Sequence, residues 1–201
     1  RVHGGAVLAQ SDQFGILPSK DPLDKYSDEK TEIALRALAH IEPDDIIALD
    51  GGSTTLEIAR RLDNMPLTVV TNDVYIISEL VPKDNIRLVV PGGYRVRNML
   101  AGPEAVSDVQ KLNIQKAFLS STAIHIEHGL SIYTGDLIEF KQALVSTARK
   151  VFAVVDHHKF GHTALRTFAS LQEVDVILTD KGLSPETAEQ FRSAGVTIEC
   201  G

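Results

Sequence analysis

Short runs of consecutive apolar, mostly β-branched residues recur along this chain at 46–50, 67–70, 86–90, 117–120, 151–155 and 174–178. Runs of this length without polar alternation predict strands buried on both faces. Between them the apolar positions repeat at helical spacing. Helices are predicted from Ser27 to about residue 40, over the segment after Ser53, over 74–80, 103–112 and 136–149, and from Ser184-Pro185 onward. A short last strand is expected at 196–198. This alternation implies an α/β fold: a doubly wound, mostly parallel sheet with helices on both faces. Residues 7–24 carry proline, glycine and polar residues without a period and read as a linker or arm, which places the folded unit over about 25–201.

In such sheets ligands bind beyond the carboxyl ends of the strands. Polar clusters fall there repeatedly: Asp50-Gly51-Gly52-Ser53-Thr54-Thr55, Thr71-Asn72-Asp73, Pro91-Gly92-Gly93 with Arg95 and Arg97 after it, Ser120-Ser121-Thr122, and Asp156-His157-His158-Lys159. The first has the form of an anion cradle. Glycines let the backbone approach a ligand, and the free N–H groups and dipole of the following helix favour negative charge. The same residues also read as an ordinary strand-to-helix turn with a serine N-cap. No Gly-Lys-Ser/Thr or G-x-G-x-x-G follows, which argues against the two common nucleotide-binding loops.

The helix at 136–149 carries a further signal. At about 100° per residue, with Leu137 at 0°, Phe140, Leu144, Ala148, Val145 and Ile138 form one apolar stripe, and Lys141 falls at about 40°, inside it. A lysine on a buried face needs a partner, which a bound ligand's phosphate or carboxylate would supply, unless its stem snorkels over the core edge.

Net charge is −7 with histidine neutral, and there is no tryptophan. That disfavours a broad grip on a nucleic-acid backbone and a base-stacking platform. No apolar run is long enough to span a membrane. The single cysteine, Cys200, excludes an internal disulfide and fits a reducing cytoplasm. Asp156, His158 and His162, joined by His125 and His128, are candidate metal ligands; with no cysteine pair and no H-E-x-x-H helix, no metal or other cofactor is expected.

Several stretches in order resemble one family: Arg1-Val2-His3-Gly4-Gly5-Ala6, Ile47-Ala48-Leu49-Asp50-Gly51-Gly52-Ser53-Thr54-Thr55, Thr71-Asn72, Pro91-Gly92-Gly93, Glu127-His128-Gly129-Leu130-Ser131, Glu139-Phe140-Lys141, Asp156-His157-His158-Lys159-Phe160-Gly161 and Leu178-Thr179-Asp180. The chain is similar to the effector-sensing domain of DeoR-type transcription repressors. The resemblance implies a fold like that of ribose-5-phosphate isomerase and glucosamine-6-phosphate deaminase, and an effector that is a phosphorylated sugar or related metabolite. It implies a site lined by Asp50, Gly51, Gly52, Ser53, Thr54, Thr55, Thr71, Asn72, Gly92, Gly93, Lys141, Asp156 and Lys159. Operator DNA would be held by an N-terminal winged helix-turn-helix that is missing here, with residues 1–24 as the linker from it, in a cytoplasmic homodimer or homotetramer. Two positions depart from the family pattern: Gly51, where alanine is common, and His125, where aspartate is usual.

The rival expectation is an isomerase or deaminase on the same fold. Such chemistry needs a positioned base, which Asp156 could supply. However, the Asp-Gly-Ala-Asp-Glu and Lys-Gly-Gly-Gly segments of ribose-5-phosphate isomerases are missing, and Ser121-Thr122-Ala123-Ile124-His125 stands in their place. A third expectation is an oligomerisation module with a vestigial pocket.

Overall fold

The computed structural model describes residues 26–201; the expected linker at 1–24 and the Arg1–Ala6 stretch lie outside the described residues. The chain alternates through α1 (Ser27–Leu38), β1 (Ile46–Leu49), α2 (Ser53–Arg61), β2 (Leu67–Val70), α3 (Val74–Leu80) and β3 (Ile86–Val89). A hairpin of β4 (Tyr94–Val96) and β5 (Met99–Ala101) follows, then α4 (Pro103–Val109), β6 (Lys116–Leu119), β7 (Ala123–His125) and β8 (Gly129–Ile132). The last elements are α5 (Ile138–Thr147), β9 (Lys150–Val154), β10 (Arg166–Ala169), β11 (Val176–Leu178), α6 (Pro185–Ser193) and β12 (Thr197–Glu199).

Seven strands form the main sheet in the order β12-β11-β9-β6-β1-β2-β3. Every pairing in it is parallel. Strand period 2 divides the apolar side chains between two cores. Ile47, Leu49, Phe118, Phe152, Val154, Val176 and Leu178 face one core, shared with Ile33, Ala34 and Ala37 of α1, Leu56 and Ile58 of α2, and Ile76 and Leu80 of α3. Their neighbours Ala48, Ala117, Leu119, Val151, Ala153 and Ile177 face the other, with Val109 of α4, Phe140 and Leu144 of α5, and Phe191 of α6. Each large apolar side chain so buried stabilises the fold by about 1.5–3 kcal/mol. The expected doubly wound, parallel α/β sheet with helices on both faces is what the chain forms. No described helix is long and apolar enough to cross a membrane.

The sheet order fixes where a crevice opens. From β1 the chain winds to β2 and β3 on one side, then returns to β6, β9, β11 and β12 on the other. The direction of winding therefore reverses between β1 and β6, and the connections leaving their carboxyl ends diverge.

Several segments differ from the expectation. The stretch after residue 120, read as a glycine-containing loop, holds β7 and β8, which join β10 in a three-stranded antiparallel sheet. The β4–β5 hairpin fills a segment read as loop. These strands are three or four residues long, too short for a readable alternation. Helices expected at 103–112 and 136–149 are shorter, and a 3₁₀ turn at Gly135–Leu137 opens the second.

Gly129 starts β8 in the left-handed region, at φ 65, and a Cβ there would stand 2.1 Å from the carbonyl oxygen of Ala169. Gly129→Ala is therefore expected to destabilise the chain by about 2 kcal/mol or more in chemical denaturation, through backbone strain and a clash with β10. A change under about 0.5 kcal/mol would contradict this.

Candidate functional site

The crevice between the carboxyl ends of β1 and β6 is built around Asp50, fully buried directly after β1. The Nζ of Lys141, buried on α5, donates to Asp50 Oδ2. It also donates to the carbonyl oxygen of Ser120 at 2.9 Å, just beyond β6, and lies 4.9 Å from the centre of the Phe168 ring. Ser120 closes the ring of contacts: its N–H donates to Asp50 Oδ1 and its hydroxyl to the carbonyl of Gly51, both at 2.9 Å. The lysine on the apolar helix face thus finds its partner within the protein, in the Asp50 carboxylate. Burial pushes the Asp50 carboxyl above its ordinary value, opposed by Lys141 and by the Ser120 N–H.

The turn from Asp50 into α2 is tightly enclosed. A Cβ on Gly51 would stand 2.1 Å from Sδ of Met99, and one on Gly52 would stand 2.4 Å from Oγ of Ser120. The alanine common at position 51 would need Met99 to move, which a flexible thioether permits. Gly52, not Ser53, is the N-cap of α2, with no side-chain cap bond and no acidic residue in the first turn. The hydroxyl of Thr55 turns back to the carbonyl of Gly52 at 2.9 Å. Thr54 is buried and its hydroxyl has no partner, whereas Ser53 is half-buried.

Thr54 Oγ1 belongs to a set. Among the described residues the buried side-chain polar atoms without a hydrogen-bond partner are Thr54 Oγ1, Asn72 Oδ1, Ser121 Oγ and Thr179 Oγ1. Thr54 follows β1, Asn72 follows β2, Ser121 follows β6 and Thr179 follows β11. All four stand at the carboxyl edge of the main sheet, where buried polar groups are ordinarily paired.

The β4–β5 hairpin is fastened to this edge. Val74 donates to the carbonyl of Asn98, Leu100 N–H to the carbonyl of Asn72, and the Asn72 amide to the carbonyl of Leu100, each at 2.8 Å. Gly93, at φ 150, is needed because a Cβ would meet the Ala101 carbonyl at 2.1 Å. Gly93 therefore serves the hairpin, and Gly92 has open space around it. The Thr71 hydroxyl accepts from the N–H of Asp73 at 3.3 Å. Asp156 and Lys159 form a separate pair at 3.5 Å, with Asp156 also accepting from His158 N–H to cap a 3₁₀ turn.

Asp73, Asn98, Met99 and Ser120 join the site without having been among the expected lining residues. Asp73 is buried, caps α3 through the N–H groups of Tyr75 and Ile76, and accepts from the Asn98 amide at 2.6 Å. Burial pushes its carboxyl up to about 6, the nearby Asp50 charge adding to this and the three donors opposing it. Asp73 and Ser120 were visible as strand-end polar residues; Asn98 and Met99 depend on the hairpin. Among the described residues, cavities also open outside the crevice. One of about 510 Å³ is lined by His125, Glu127, His157, Phe160, Ser184 and Phe191, among others. One of about 700 Å³ lies between α4, α5 and β10.

The family model described as the DeoR C terminal sensor domain matches residues 25–181. The chain is 32% identical over 207 residues to the HTH-type transcriptional regulator GlpR of Haloferax volcanii, covering all of this chain and 79% of that protein. It is 32% identical to the HTH-type transcriptional regulator IolR of Bacillus subtilis, covering 92% of this chain and 74% of that one. It is 29% identical to the HTH-type transcriptional repressor GlcR of Bacillus subtilis, covering 90% and 70%. Among solved structures, the eIF2B delta subunit of Chaetomium thermophilum superposes with a TM-score of 0.57 at 17% identity, over 78% of this chain and 57% of that one. Ribose 5-phosphate isomerase A of Methanocaldococcus jannaschii gives a TM-score of 0.49 at 17% identity, over 67% and 55%. The likeness to the eIF2B subunit speaks to the fold alone.

Two measurements test the electrostatics of the crevice. Lys141→Ala leaves the buried Asp50 carboxylate without its ammonium and is expected to destabilise the chain by about 3–5 kcal/mol. Asp50→Asn with Lys141→Met should recover a substantial part of that loss in urea titrations; additive losses would contradict the pairing. The Asp73 carboxyl carbon is expected to titrate by NMR with a midpoint near 6. Because the folded value lies above the ordinary 3.8, protonation favours the folded state. That contribution is complete below about 3.8 and is lost as pH rises through about 6. A midpoint near the ordinary value would refute the burial account.

Proposed function

The chain belongs to the family of DeoR C-terminal sensor domains, and from that premise we propose that it reads a phosphorylated sugar or related metabolite at the crevice between β1 and β6. The observation that carries this reading is the start of α2. Its first-turn N–H groups have no side-chain cap, and the buried Thr54 hydroxyl beside them has no partner. An anion suits such a terminus through direct N–H donation and the helix dipole. In the proposed complex the phosphate lies against residues 52–55, and the sugar hydroxyls meet Asn72 and Ser121, at the ends of the strands flanking β1, whose side-chain atoms lack partners.

The charge on the phosphate is met by α2 and by Lys159. Lys141 is engaged by Asp50, so its part is to fix the carboxylate and the β6 end, whereas Lys159 is half-buried and only 3.5 Å paired with Asp156. Met99 lies over Gly51, so the ligand enters by moving Met99 with the β4–β5 hairpin. That motion gives the domain two arrangements that a ligand can favour unequally, which regulation requires.

The relatives are named as regulators and repressors, and on this reading the protein is a cytoplasmic transcriptional regulator and not an enzyme. Operator contact is made by a helix-turn-helix segment outside residues 26–201, in a homo-oligomer whose symmetry matches a two-fold operator.

Calorimetry with a panel of sugar phosphates and their unphosphorylated counterparts tests the reading. A phosphorylated member is expected to bind, its free sugar to bind at least tenfold more weakly, and Thr54→Val and Lys159→Ala each to weaken binding by about 10- to 100-fold. Equal affinity for the free sugar, with both variants unchanged, would overturn it.

A further inference from the structure

Two strands away from β1, the turn after β9 holds a histidine clasped on three sides. The N–H of His157 donates to Oδ1 of buried Asp180 at 2.9 Å, and its Nδ1 meets Asp180 Oδ2 at 2.6 Å. The N–H of Gly182 also donates to Oδ2 at 2.9 Å. A Cβ on Gly182 would stand 2.3 Å from His157 Nδ1, so the loop backbone closes on the ring itself. With Nδ1 committed to a carboxylate, Nε2 is the nitrogen left to bind something else.

Two more donors gather at this ring. His158 lies tilted against it, with centroids 3.8 Å apart, and the Tyr26 ring lies tilted against His158 at 4.2 Å. Glu29, in the first turn of α1, brings Oε1 to 4.0 Å from Nε2 of His158. One ligand atom from each of Glu29, His157 and His158 lies within 4.8 Å of the others. Glu29 and His157 are half-buried and His158 is exposed, so an ion can enter and keep water on its open side.

We propose that Glu29, His157 and His158 form a binding site for a divalent transition cation of the zinc class, with Asp180 holding His157 from behind. Two imidazoles and one carboxylate suit zinc, cobalt or nickel, and would be a poor set for magnesium or calcium. Bonds of about 2.0–2.2 Å in a tetrahedron need ligand atoms about 3.3–3.6 Å apart. Rotation of the Glu29 and His158 side chains by about an ångström reaches that. A surface ion pair between Glu29 and His158 would explain two of the groups; it gives no reason for a buried carboxylate to fix the third ring. A carboxylate behind a ligating histidine is the arrangement that orients the ring and strengthens it as a ligand. A bound cation would tie the first turn of α1 to the ends of β9 and β11. A second trio, His125, Glu127 and His128, lies within one hairpin loop. There the Nδ1 of His125 already accepts from the N–H of Glu127 at 3.1 Å, and the described contacts include no carboxylate behind either ring.

The test uses the 201-residue chain, stripped with a chelator and titrated with zinc by calorimetry and with cobalt by visible absorption. One equivalent is expected to bind, raising Tm by roughly 5–10 °C when zinc stands at about a hundred times its dissociation constant. Glu29→Gln and His158→Ala, both at partly exposed positions that preserve the core, should each weaken binding at least tenfold. Asp180→Asn should weaken it by about 10- to 100-fold, and His125→Ala should leave it unchanged. Binding no tighter than millimolar, binding unaffected by Glu29→Gln and His158→Ala, or loss on His125→Ala would each overturn the proposal.

Discussion

A buried ammonium on a helix and a buried carboxylate at a strand end hold the centre of this fold together. Either charge alone would be expensive to bury, and together they remain acceptable only with further hydrogen bonds. The structure supplies those bonds: the Ser120 carbonyl accepts from Lys141 and the Ser120 N–H donates to Asp50. Three elements are therefore tied at one point, the ends of β1 and β6 and the middle of α5. The apolar stripe of α5 docks over this end of the sheet with Lys141 meeting Asp50. The same contact sets the geometry of the crevice where the winding of the sheet reverses.

Beside this pair the edge carries uncharged polar groups. Thr54, Asn72, Ser121 and Thr179 contribute buried atoms without partners, and α2 begins with uncapped N–H groups. Asp73 adds a carboxyl held near 6 by its burial. On the proposed reading this is a surface for holding an oxygen-rich anion without transforming it. Met99 and the β4–β5 hairpin cover it, and their displacement is the motion through which occupancy could reach the rest of a regulator.

Much of this was legible in the sequence because it follows from local pattern. Runs such as Phe118–Leu119 and Val151–Val155 announce strands buried on both faces, and Lys141 betrays itself by standing inside an apolar stripe. The clustering of polar residues at strand ends foretold the edge that carries the crevice. What remained hidden depends on contacts distant in sequence. The partner of Lys141 lies 91 residues away. Met99 and Asn98 reach the site only through a hairpin of two three-residue strands. Gly93 looked like a ligand contact, and its positive φ and its approach to Ala101 show that the hairpin needs it. Glu29 and His157 likewise meet across 128 positions, beyond what spacing of metal-binding residues can signal.

On the proposed reading the α2 turn and the ends of the two strands flanking β1 form one site for a phosphorylated metabolite. Amide NMR spectra of the chain, recorded while the tightest-binding sugar phosphate is added, test it most directly. The account predicts the largest shifts at Gly51 to Thr55, with accompanying shifts at Asn72 and Ser121 and in the 94–101 hairpin. Shifts confined to the cavity beside α6, or to the groove between α4, α5 and β10, with residues 51–55 unmoved, would contradict it.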